Sequence, residues 1–211
     1  MLLPAVPLLL FLLITWQVLA DGPLLGLDER LSDALVRPDR ASEVLSDLGN
    51  VEVAVPVLAL ALTVTAWRLR ATGVDRWWLP ATAGATAMVL VPVVVAPLKA
   101  WTDRPGTPAV PPATGYFPSG HTATAVVAYD AATLLLLPLL GSPAVRRGLV
   151  ALCALLILGA SYGLVRRGYH WPLDVVASWC LGALLLTGVA LVSRSSRRTS
   201  AGTPSRRSGP S

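Results

Sequence analysis

Charge and cysteine are both scarce in this chain. Of its 211 residues only 14% are charged while 54% are hydrophobic, and the mean hydropathy is +0.64. That excludes an ordinary soluble domain, in which about a quarter of residues carry charge. The two cysteines, Cys153 and Cys180, both fall inside long apolar runs, which excludes a disulfide framework and leaves them as small apolar packing residues. Two histidines and no loop cysteine fall short of the three or four ligands of a zinc site. No metal and no cofactor is implied. The net charge of +5 does not indicate nucleic acid, because the basic residues stand at the ends of apolar runs and in the tail.

What the chain has in quantity is long apolar runs. A hydrocarbon core takes about 20 apolar residues per helix, and six stretches approach that length: roughly residues 2–20, 51–67, 79–98, 122–140, 148–165 and 172–193. They predict an all-α integral membrane bundle of six transmembrane helices. Residues 1–20 read as a retained first helix. The alternative is a signal peptide cut after Val18-Leu19-Ala20, but the segment lacks a basic start and its apolar run exceeds a usual signal core.

Residues 21–50 form an acidic segment outside the cytoplasm. Leu27, Leu31, Leu35 and Val36, then Val44, Leu45 and Leu48, recur in it at helical spacing. Amphipathic interfacial helices and a solvated loop both fit that pattern, and no chemistry is assigned to it. Residues 51–193 form the core. Residues 194–211, rich in Ser, Arg, Gly and Pro, form a basic tail expected to be disordered.

Three basic segments set the orientation: Arg68, Arg70 and Arg76; Arg146 and Arg147; and the tail with Arg194, Arg197, Arg198, Arg206 and Arg207. The positive-inside rule makes them cytoplasmic. The loops 99–121 and 166–174, which hold both histidines, then meet on the extracytoplasmic face of a multi-pass cell-membrane protein, where the interface favours a site.

Pro118-Ser119-Gly120-His121 ends a polar loop and begins an apolar helix. A helix start offers unpaired N–H groups and partial positive charge, so it suits an anion. In the second loop His170 is followed four residues later by Asp174, with Pro172 suited to the first helical turn. The carboxylate can accept the imidazole Nδ1–H and leave the Nε2 lone pair outward, the posture of a nucleophile. Otherwise Asp174 serves only the helix dipole and His170 is an interfacial polar residue. His121 is the complementary proton donor. Lys99, Arg104, Arg166 and Arg167 are candidates to neutralise phosphoryl oxygens, although such residues taken singly are commonly interfacial anchors. Asp130, inside the fourth span and on the face opposite His121, reads as an interhelical carboxylate or a functional acid.

These residues resemble the type 2 phosphatidic acid phosphatases, the membrane branch of the lipid phosphatase and vanadium haloperoxidase superfamily. The likeness covers about residues 50–193. The family carries Lys-x6-Arg-Pro, Pro-Ser-Gly-His and Ser-Arg-x5-His-x3-Asp motifs, of which the second is intact here. The resemblance implies that His170 forms a phosphohistidine, that Asp174 orients it, that His121 is the general acid, and that Lys99, Ser119 and Gly120 hold phosphate oxygens.

The outer motifs depart from the pattern. Lys99 and Arg104-Pro105 are separated by four residues, and Gly106 stands seven after Lys99; Gly163 and Leu164 stand where the family has Ser and Arg. Losing one such donor costs about 3 to 4 kcal/mol of transition-state stabilisation. Arg104 is displaced by about 7 Å of extended chain, which makes it a substitute for the first arginine. For the second, Arg167 lies about 60° around a continuous helix from Leu164 and Arg166 about 160°; both are kept.

The expected function is a metal-independent membrane phosphatase acting on a lipid phosphate monoester or a polyprenyl diphosphate, with the membrane and no nucleic acid as its partner. The rival is a non-catalytic relative that binds or moves anionic lipids with a degenerate site. A transporter is disfavoured, because the sequence shows no internal repeat or midplane site.

Overall fold

The computed structural model describes residues 4–201, with side chains as far as Val192. The elements in order are α1 (Ala5–Leu19), α2 (Leu24–Leu35), α3 (Arg40–Asp47), α4 (Val51–Ala71), α5 (Leu79–Thr102), α6 (Gly120–Leu136) with a 3-10 turn (Leu137–Leu139), α7 (Pro143–Arg166) and α8 (Pro172–Ala201). The described residues contain no strand. The start of the first apolar run, and Arg206 and Arg207 of the tail, lie outside the described residues. Residues 194–201 continue α8.

Helices α4, α5, α6 with its turn, α7 and α8 are each long and apolar enough to cross a membrane. The first expected span differs. At 15 residues α1 is about 22 Å long, and it reaches spanning length and apolarity only together with α2, from which it is bent by 91°. The bundle therefore has five continuous candidate spans and a bent sixth.

The axis of the bundle is α6. Its span is 67% buried, against 22–44% for the other four. Small side chains such as Ala123, Ala125, Ala128, Ala131 and Ala132 let α4, α5, α7 and α8 approach it from all sides. The ends of α4 and α6 meet the start of α7 around a cavity containing Arg68, Leu136 and Val145. α7 begins earlier than its apolar run, so Arg146 and Arg147 occupy its first turns at that same end.

The segment 21–50 folds as two helices. A capping box starts α3: the Ser42 N–H donates to Asp39 Oδ1 at 2.7 Å and the Asp39 N–H to Ser42 Oγ at 3.1 Å. α3 then lies directly on the α7 backbone, since a Cβ added to Gly163 would come within 2.4 Å of Ser46 N and 2.8 Å of Ser42 O. The Tyr129 hydroxyl donates to the Leu48 carbonyl at 2.6 Å and ties the far end of α3 to α6.

α2 buries a polar pair and exposes a leucine stripe. Leu27, Leu31 and Leu35 point outward, while Asp28 and Ser32 are buried, at 1% and 2% exposure. Glu29, Arg30 and Asp33 are exposed beside the leucines, and the packed side of the helix carries a carboxylate into the protein.

Candidate active site

The turn between α7 and α8 positions His170. Gly168 adopts φ +73°, a left-handed conformation open to glycine, and its carbonyl accepts the Thr107 hydroxyl. A Cβ at Gly168 would meet Ala109 Cβ at 2.4 Å. Pro172 then opens α8, and Asp174 falls in its first turn. Asp174 Oδ2 lies 3.2 Å from His170 Nδ1 and accepts the Trp171 N–H at 3.2 Å. Both side chains are buried, His170 at 5% and Asp174 at 0% exposure.

His121 approaches from the start of α6, with its ring centroid 6.4 Å from that of His170. Ser119 caps α6, its Oγ accepting the Thr122 N–H at 3.2 Å. The Ser119 N–H donates to the Asp174 carbonyl at 3.2 Å, and the Ser178 hydroxyl lies 2.8 Å from the Ser119 carbonyl. The Pro-Ser-Gly-His loop is thus stitched to α8. Lys99, in the last turn of α5, donates from Nζ to the Gly115 carbonyl at 2.8 Å. A Cβ at Gly120 would stand 3.8 Å from Val95 and 4.0 Å from Lys99 Cε, in ordinary contact with both.

Lys99, Gly120, His121 and His170 line the polar end of one cavity of about 870 Å³, with Tyr116 and Tyr169. The Tyr116 ring stands edge-on to His170 at 5.8 Å between centroids. Ser119 is fully buried behind this surface and does not line it.

The arginines are placed elsewhere. Arg104, 6% exposed, donates from Nη1 to Asp174 Oδ1 and from Nη2 to Asp28 Oδ2, each at 2.6 Å, and lies over the Trp171 ring. Arg166 pairs with Asp39 at 2.9 Å. Arg167 donates to the Tyr169 hydroxyl at 3.0 Å on the exposed surface. None of the three lines the cavity.

Neither substituted family position has room for an arginine. A Cβ at Gly106 would meet the Tyr116 ring at 2.8 Å, and Leu164 is 1% exposed in the packed interior. Asp130 accepts from the Cys153 thiol at 3.1 Å between α6 and α7 and does not border the cavity.

Sequence reasoning missed Asp28, Tyr116 and Asp39. Asp28 Oδ1 also accepts the Leu173 N–H at 2.8 Å, so α2 is fastened to the first turn of α8. The Ser42 N–H, with Arg166 beside it, holds the Asp39 carboxyl down at about 2. The signal for Asp28 was slight: Asp28 and Ser32, four residues apart, share one side of the helix beside the leucine stripe.

No curated protein matches the sequence. The chain is similar in fold to the crystal structure of a transmembrane PAP2 type phosphatidylglycerolphosphate phosphatase from Bacillus subtilis. The TM-score is 0.73 at 20% identity, covering 98% of this chain and 100% of that one. The model of the PAP2 superfamily matches residues 81–198, more than half of the sequence. The chain belongs to the PAP2 superfamily.

Proposed function

We propose that this protein is a membrane phosphatase that hydrolyses a phosphate monoester or a diphosphate carried on a lipid, through a phosphohistidine on His170. The shape of the cavity is the observation that carries the lipid reading. From its polar end at Lys99 the cavity follows α5 past Val95, Val91 and Met88, with Val51 and Val55 of α4 on its other wall. Eleven residues of helix separate Lys99 from Met88, about 16 Å. Val51 and Val89 at its margin are 56% and 64% exposed, so the groove opens through the side of the bundle. A headgroup seated among the histidines would leave its tail between α4 and α5.

His170 Nε2 attacks phosphorus while Asp174 holds the Nδ1–H. The phosphorus–oxygen bond to the lipid breaks, and His121 gives its proton to the departing oxygen. Water, relieved of a proton by His121, then cleaves the phosphohistidine. Lys99 and the N–H groups at the start of α6 bind the phosphoryl oxygens, where charge collects in a loose transition state. The arginines at the opposite end of the bundle support a cytoplasmic placement for that end, leaving the site on the extracytoplasmic face. Neither histidine chemistry nor this binding set calls for a metal.

One observation favours the rival, a lipid-binding relative without catalysis: Lys99 is the one lysine or arginine among the described residues that line the cavity. Purified protein in detergent is expected to release phosphate from lipid phosphates in the presence of EDTA, and His170→Ala to abolish it. Retained activity in that variant overturns the mechanism, as does failure to trap a phosphorylated histidine in an active wild type; a wild type that neither releases phosphate nor forms a phosphohistidine favours the rival.

A further inference from the structure

Asp28, Arg104, Asp174 and His170 form one buried series. Asp28 Oδ2 and Asp174 Oδ1 each accept from the Arg104 guanidinium at 2.6 Å, and Asp174 Oδ2 faces His170 Nδ1 at 3.2 Å. All four residues are at most 6% exposed. Asp28 belongs to α2, outside the residues that the family model matches. We infer that Asp28 is a positioning residue for His170, acting through Arg104 and Asp174.

When His170 Nε2 bonds to phosphorus, positive charge develops on the ring while the Nδ1–H stays in place, and a net negative partner stabilises that charge. Arg104 alone against Asp174 makes a neutral pair, which cancels much of the benefit. With Asp28 on the other side of the guanidinium, the two carboxylates and one arginine carry a net negative charge, and Asp174 remains an effective partner for the ring. Asp28 also fixes where Arg104 points. The guanidinium lies over Trp171 at 5.3 Å and spans the two carboxylates, so it pins the second oxygen of Asp174 and with it the carboxylate plane.

The role assigned to His170 rests on the phosphatase reading above. The coupling of Asp28 to His170 does not. The other titratable groups around His170 are Tyr116 and His121, with Lys99 and Tyr169 on the same cavity wall; Asp21, Glu29 and Asp103 border a small cavity beside Arg104. They are common to the variant and the wild type, so a comparison between the two isolates Asp28.

The chain has two histidines, so ring-nitrogen NMR of histidine-labelled full-length protein in detergent resolves both, with His121→Gln assigning them. Asp28→Asn keeps the side-chain volume and removes the charge; Asp28→Ser serves in its place if the amide is not accommodated. The expected result is a His170 titration midpoint lower by about half a unit or more, because Arg104 then cancels more of the Asp174 charge. Turnover is expected to fall about tenfold with KM within about twofold, and the acidic limb of the pH profile to shift down with the His170 midpoint. An unchanged His170 titration overturns the inference, whatever happens to thermal stability. If the wild type releases no phosphate from any lipid phosphate, the phosphatase reading fails while the NMR comparison still decides the coupling.

Discussion

Arg104 Nη1 lies 2.6 Å from Asp174 Oδ1, and this bond turns the guanidinium away from the cavity that holds Lys99, His121 and His170. The shortened spacing after Lys99 thereby has a structural outcome. A cation that the Lys-x6-Arg-Pro pattern would place against phosphate instead supports the carboxylate behind His170.

On the phosphatase reading, Lys99 is then the main charge that would face a phosphoryl group. Lys99→Ala is expected to lower phosphate release about 100- to 1000-fold, the loss measured for comparable stabilising donors. Arg166→Ala and Arg167→Ala are expected to stay within about twofold, as surface pairs contribute little. A hundredfold loss in either arginine variant would put a second cation at the phosphate.

Restoring the family residue at the family spacing is expected to harm the protein. In Gly106→Arg the first side-chain carbon already meets the Tyr116 ring at 2.8 Å, and overpacking of this kind costs about 1 to 3 kcal/mol. Lower activity and a lower melting midpoint in detergent are the predicted results. A gain in activity would show that the loop yields and that the arginine reaches the substrate.

Filling the apolar groove separates headgroup from tail recognition. Val55→Trp, on the α4 wall, is expected to raise KM for a long-chain lipid phosphate about tenfold or more, while turnover of a short soluble phosphate ester stays within about twofold. Equal effects on both substrates would mean that the tail lies elsewhere.

The pin between α3 and α7 predicts a specific acid response. Asp39 is held at about 2 by the Ser42 N–H and Arg166, against about 3.9 in an unfolded chain. A depressed carboxyl stabilises the fold fully above the unfolded value, and that contribution fades as pH falls through the folded one. Asn caps helices as well as Asp does, so Asp39→Asn removes the charge alone. The melting-point gap between wild type and Asp39→Asn should be constant above about pH 5 and close toward pH 2. A gap that persists at pH 2 would assign the effect to packing.

Much of this molecule is a local matter and was legible as sequence. Apolar runs long enough for a bilayer predict the spans of α4 to α8 with shifts of a few residues at their ends. His170 and Asp174 meet because Pro172 starts a helix between them, and Ser119 caps α6 because a serine before an apolar run can accept the freed N–H. The exception among the spans is the first run, where length alone did not show that α1 stops after 15 residues and turns sharply into α2.

The long-range features were decided only by the fold. Leucine periodicity in α2 defines a stripe, but which side of the helix is buried was decided by its partners: Asp28 points inward to Arg104 and to the Leu173 N–H. The bonds from Arg104 to Asp174 and Asp28 join residues 70 and 76 positions apart, a separation at which no local pattern records a partner. Arg166 and Arg167 end α7 just before the turn that carries His170, yet they bond to Asp39 and to the Tyr169 hydroxyl and do not line the cavity. Backbone periodicity determines which residues share a face; the packing of one helix against another determines which charges meet, and here that packing set the environment of the two histidines.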